Sequence, residues 1–126
     1  MRRRHNSIHR NYDKFKPELL KVFKELRKQG IVARTNFSCC GSCGSYELYE
    51  YIKEKNKLGY VFWHRQSEES FKKSGEVCLY YGALHDNDDL KVANMIVNEL
   101  KIQNVDHTWN GQTTTAIIVK DTSYDL

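Results

Sequence analysis

Three of the four cysteines in this chain fall within five residues, in Cys39-Cys40-Gly41-Ser42-Cys43-Gly44, and that spacing is its strongest chemical signal. Cys40 and Cys43 form a Cys-x-x-Cys pair, in which a tight turn brings two sulfurs to about 2.3 Å from one tetrahedral zinc ion. Gly41 and Gly44 ease such a turn. Cys39 adds a third thiolate if the backbone kinks between the two neighbours, because in an extended chain adjacent side chains point apart. Cysteines this close together cannot staple a fold, and a reducing compartment keeps them as thiols, so the cluster points to metal rather than disulfides. The expectation is one zinc per chain, with Cys39, Cys40 and Cys43 among its ligands.

The elements around this loop must supply the fourth ligand. Ile31 to Phe37 is rich in strand formers, and Ser45 to Lys57 carries Leu48, Tyr49 and Ile52 at helical spacing. Gly59 then opens Tyr60-Val61-Phe62-Trp63-His64, a nearly continuous apolar strand of the sort buried on both faces. Together these form a β-α-β unit. Its strands run parallel, so the loop after the first lies at the same edge as the end of the second. His64 ends that second strand and is the expected fourth ligand, with Arg65 able to hydrogen-bond a thiolate. The alternative use of His64 is as a strand-end histidine satisfied by a backbone carbonyl. Cys78, inside a later strand where a buried thiol serves as a small hydrophobe, is the reserve ligand. His85 should emerge at the opposite edge.

Upstream, Pro17 sits early in a helix whose apolar face is Phe15, Leu19, Val22, Phe23 and Leu26, closed by Gly30. Downstream, residues 65 to 75 are polar and read as a loop, leading to an antiparallel strand at Val77 to Tyr81. Asp86 to Asp89 caps a third helix that buries Leu90, Ala93, Ile96, Val97 and Leu100. Val105 to Trp109 and Thr114 to Lys120 flank Asn110-Gly111-Gln112-Thr113 as a closing hairpin. At 126 residues and 40% hydrophobic composition the chain holds one core. The fold class is therefore α/β in the mixed α+β sense: a single domain with a sheet of about five strands, three helices and one β-α-β unit carrying the zinc loop.

The net charge of +4 is concentrated at one end. Residues 1 to 10 hold Arg2, Arg3, Arg4 and Arg10 and no acid, leaving sixteen basic against sixteen acidic residues in the remainder. Residues 1–12 thus read as a basic flexible arm and 13–126 as a neutral, zinc-stabilised domain. Such an arm suits nucleic acid phosphates, nuclear import factors or an acidic protein surface, or is simply solvated. The third helix carries only Lys91 and Lys101 as basic residues, which argues against sequence-specific DNA reading. No apolar run approaches the roughly 20 residues needed to span a bilayer, and Arg2-Arg3-Arg4 is followed by no apolar stretch, so neither a membrane partner nor a secretory signal is expected. The expected location is intracellular and cytoplasmic, or nuclear in a eukaryotic or virus-infected cell.

Several segments resemble a known family. They are Gly30-Ile31-Val32-Ala33-Arg34, Asn36-Phe37-Ser38-Cys39-Cys40 with Cys43-Gly44, Gly59-Tyr60-Val61-Phe62 with His64 and Gln66, Tyr81-Gly82-Ala83, and Trp109-Asn110-Gly111. The chain is similar here to a small, mostly bacterial family catalogued as a domain of unknown function. Arg65 and Ser67 depart from the polar residues usual around the family's histidine. The resemblance implies that the cysteines and His64 belong to one site, supplies no activity, and leaves the basic arm outside it. High Lys, Asn and Tyr usage also suits an AT-rich genome, such as that of a large DNA virus.

Two functional readings follow. In the first, the protein is a zinc-stabilised binding or adaptor module that meets nucleic acid or an acidic partner through its arm. In the second it is an enzyme. That enzyme is either a thiol oxidoreductase using Cys40 and Cys43 at a helix N-terminus, or a zinc hydrolase with Glu47, Glu68 or Glu69 as base. The redox variant lacks the cis-proline of thioredoxin-like folds, since the chain's one proline is Pro17. Trp63, Tyr60 and Trp109 read as core aromatics.

Overall fold

The computed structural model describes residues 17–38, 40–65, 69, 71 and 75–120. Helix α1 covers 17–28 and buries Leu19, Val22, Phe23 and Leu26, the apolar face read from the sequence. Gly30 then takes a left-handed φ of 93°, which glycine adopts without steric cost, and turns the chain into β1 (Ile31–Arg34). There follow α2 (Gly41–Lys55), β2 (Gly59–Phe62) and β3 (Glu76–Ala83). A 3-10 turn (Asp86–Asp88), α3 (Asp89–Ile102), β4 (His107–Thr108) and β5 (Ile117–Lys120) complete the order.

The five strands form one sheet in the order β1-β2-β3-β5-β4. β1 and β2 are parallel, in register from Ile31↔Gly59 to Arg34↔Phe62, as the β-α-β reading requires. The other neighbours pair antiparallel. One face of the sheet contributes Ala33, Val61, Leu79 and Val119 to a core shared with α1 and α3. The other face contributes Val32, Tyr60 and Phe62 to a smaller core closed by Leu48 and Ile52 of α2. β2 is buried along its whole length because helices lie on both of its faces. The result is an α+β single domain, and two side-chain ties hold its periphery. Gln29 Nε2 donates to the buried Glu99 carboxylate of α3 at 3.0 Å, and the Arg27 guanidinium donates twice to the Ala33 carbonyl of β1, at 2.9 and 3.1 Å.

Three expectations need correction. Within residues 65 to 75, read as a loop, the described Arg65, Glu69 and Phe71 are helical, and Phe71 is fully buried. Phe71 joins the main core from a segment whose sequence shows no apolar period. On α3, Leu90 is 49% exposed, and Val92 and Glu99 stand in the buried set instead. The Asp89 carboxylate accepts the Ala83 N–H at 2.9 Å, fixing the first turn against the end of β3 with Leu90 outward. The closing hairpin has shorter strands than expected. Trp109 to Ala116 forms a loop in which the Tyr81 hydroxyl donates to the Thr115 carbonyl at 2.8 Å.

Candidate cysteine–histidine site

Beyond Arg34 the backbone enters two left-handed residues, Asn36 (φ 47°) and Ser38 (φ 66°), one on each side of Phe37. Asparagine tolerates that region; serine is uncommon there, and such strain persists only where surrounding contacts enforce it. Two such contacts are present. The Phe37 N–H donates to the Trp63 carbonyl at 2.9 Å, and the Arg65 N–H donates to the Ser38 carbonyl at 3.3 Å. The residues leading to the cysteines therefore run beside the residues that follow β2, and Cys40 and His64 lie at the same end of the sheet.

Cys40 is the N-cap of α2, with extended backbone (φ −156°, ψ 171°), and its carbonyl accepts the Gly44 N–H at 3.1 Å. The helix thus begins at Gly41, four residues before the expected Ser45, and Cys43 stands in its first turn rather than in a loop. Cys40 is half-buried and Cys43 exposed. The glycines have a different role from the one their turn chemistry suggests. A Cβ on Gly41 would lie 3.0 Å from Tyr80 Cε1, and one on Gly44 would lie 2.6 Å from Phe62 Cζ. At a spacing of three residues, they give the first helical turn a face without side chains, which rests directly on two aromatic rings.

Those rings continue to the histidine. Phe62 stacks on Tyr80 with centroids 5.6 Å apart, and Tyr80 stacks on His64 at 5.2 Å, both at 29°. Phe62 pairs with Tyr80 at the end of the β2–β3 ladder, and His64, two residues beyond Phe62, stacks on the same Tyr80 ring. His64 is 7% exposed, and burial lowers its pKa below the usual 6.5. At neutral pH it is the uncharged imidazole, the form that has a ring-nitrogen lone pair to offer a metal. Cys78 is half-buried, and its thiol pKa is raised by burial and then by the charge of Glu76. The Tyr80 hydroxyl pKa is raised by burial, then by the charges of Cys78 and of Cys40.

The remaining candidates are elsewhere. His85 precedes the 3-10 turn just after Ala83, which pairs with Gly59, so it occupies the opposite end of the sheet from His64. Arg65, Glu47 and Glu69 are exposed. Cys39, Gln66, Ser67, Glu68 and the arm with Arg2, Arg3, Arg4 and Arg10 lie outside the described residues. Among the described residues, no three His, Cys, Asp or Glu side chains stand close enough together to share a metal ion. Sequence reasoning gave no role to Tyr80. The available signal was its two-residue spacing from Cys78, which puts both on His64's face once β2 and β3 pair antiparallel.

Fold and site together define a small α+β domain whose cysteine-bearing helix start is seated on an aromatic row at one end of a mixed sheet. The chain belongs to the family described as a domain of unknown function, DUF6891, which matches residues 11–125. No curated protein and no solved structure matches the chain. No helix among the described residues is long and apolar enough to cross a membrane.

Proposed function

We propose that the domain is a zinc-holding binding module rather than an enzyme, in which Cys39, Cys40, Cys43 and His64 hold one zinc ion, with Cys40, Cys43 and His64 drawing closer together than they stand here as it binds. The arm with Arg2, Arg3, Arg4 and Arg10 then supplies contact to a polyanion, either nucleic acid phosphates or an acidic protein surface. The observation that carries this reading is a buried, neutral imidazole at the same sheet end as a cysteine N-cap, with strained backbone leading into it. Thiolates and a neutral imidazole are the donor set zinc takes, and two backbone hydrogen bonds hold the segment leading to Cys40 beside the segment that carries His64. Four protein ligands would leave no position for a reacting water. Thiols at such a site belong in a reducing, intracellular compartment.

Metal analysis of protein purified under reducing conditions tests the reading: about one zinc per chain is expected from a closed site. His64→Ala should lose zinc to a chelator well before wild type, by about 3 kcal/mol or roughly a hundredfold if the four ligands share the binding energy evenly. His85→Ala should match wild type, and equal retention in both variants refutes the ligand assignment. A second reading, thiol oxidoreductase, draws on Cys40 at the N-cap with Cys43 in the first turn, where helix amides favour a thiolate. Metal-free protein that cycles reversibly between dithiol and disulfide at a thioredoxin-like potential would favour it.

A further inference from the structure

The Tyr80 ring meets both halves of the site. His64 stacks on one part of the aromatic row and Phe62 on the other, with Tyr80 between them. The backbone of Gly41 lies close enough to that ring for any Cβ there to approach within 3.0 to 3.3 Å of three of its atoms. Gly41 follows the N-cap Cys40 directly, so the ring sets the height of the helix start above the sheet. Tyr80 itself is fixed by the β3 ladder, through its pairing with Phe62. One side chain anchored in the sheet therefore fixes the imidazole plane and the position of the Cys40 backbone.

We propose that Tyr80 is the positioning residue of this site, the rigid wall that orients the His64 imidazole and seats the cysteine-bearing first turn of α2. The proposal rests on the zinc reading for its effect on metal affinity. Its structural content, the ordering of His64, stands without metal. The aromatic ring carries the role, so Tyr80→Phe preserves it and Tyr80→Leu removes it.

Three measurements on the full chain decide the matter: zinc affinity by chelator competition, the visible spectrum of the cobalt-loaded protein, and the NMR order of the His64 ring C–H groups in metal-free protein. In Tyr80→Leu, zinc affinity should fall about 10- to 100-fold, as for other groups that orient metal ligands. The cobalt bands should shift, and the His64 ring should lose order and its upfield ring-current shift. Tyr80→Phe should stay within about threefold of wild type in affinity and keep the ring signals unchanged. A Tyr80 that served stability alone would lower the metal-free melting temperature and leave His64 order and zinc affinity of the folded fraction untouched; that result overturns the proposal. If wild type holds no zinc, the zinc reading fails. The His64 ring signals then judge Tyr80 alone, with loss of order in Tyr80→Leu supporting the proposal and retained order refuting it. Should Tyr80→Leu not fold, Tyr80→Met keeps bulk without an aromatic face and is read by the same signals.

Discussion

Replacing Gly44 with alanine sets two effects of known sign against each other. Alanine is worth about 1 kcal/mol over glycine inside a helix, so an unobstructed position would gain stability. At Gly44 the new methyl would lie 2.6 Å from Phe62 Cζ, whereas carbon atoms in contact prefer about 3.5–4.0 Å. Either the helix start must lift or the ring must move by about 1 Å. Phe62 has no room to give: it is fully buried, stacked on Tyr80, and met edge-on by Phe37 at 6.0 Å. Overpacking costs about 1–3 kcal/mol, and so close an approach to a ring that cannot move belongs in the upper part of that range, about 2–3 kcal/mol; less the helix gain of about 1 kcal/mol, Gly44→Ala should be destabilised by about 1–2 kcal/mol net. For a domain of this size that is a melting temperature lower by roughly 3–10 °C, read by circular dichroism with chelator present so that packing alone is measured. Ser42→Ala, exposed on the same turn, should melt at or slightly above wild type. In a Phe62→Leu background the cost of Gly44→Ala should largely vanish. If Gly44→Ala melts at or above wild type, or costs the same in both backgrounds, the seating of the helix on the aromatic row is refuted.

Other outcomes follow from the same structure. Phe71→Ala should cost about 3–5 kcal/mol in chemical denaturation, because a fully buried ring is removed from the main core; a loss below about 1 kcal/mol would show that the segment is not anchored there. In metal-free protein, stability should be at its full level above pH 6.5 and decline as pH falls through the lower value of folded His64, since in that window the unfolded chain binds a proton that the folded chain resists. Melting curves of wild type and His64→Gln at about pH 7.5 and about pH 5.5 check this, the variant showing the smaller acid loss. Deleting residues 1–10 removes four arginines and should abolish most affinity for polyanions across a salt series without shifting the melting temperature; equal binding by the truncated chain would dismiss the arm.

The parts of the fold legible in sequence were those set by periodicity and by parallel connection. Leu19, Val22, Phe23 and Leu26 mark one helical stripe, and the apolar run from Tyr60 to His64 admits one reading, a strand covered on both faces. The β-α-β rule then carried His64 to the end of the sheet where the cysteines lie. What sequence could not show depended on contacts across elements. Gly41 and Gly44 read as turn formers because a one-dimensional pattern holds no sign of the rings above which they sit. Tyr80 acquired meaning only through the β2–β3 register. Leu90 fits the apolar period of α3 as well as Val92 does, and the Asp89 bond to the Ala83 amide selects between the two rotations.

Among the described strands β1 stands at the border of the sheet, and border strands are where a second chain can add its own strand and begin aggregation. The Arg27 side chain occupies the Ala33 carbonyl there with two N–H groups, and it does so from α1, not from the strand. Resistance to intermolecular strand addition is thus conferred by the docking of a neighbouring helix. Partial unfolding that detaches α1 would expose the border and the apolar stripe of that helix at once, so solubility under thermal stress depends on the contact between α1 and the sheet.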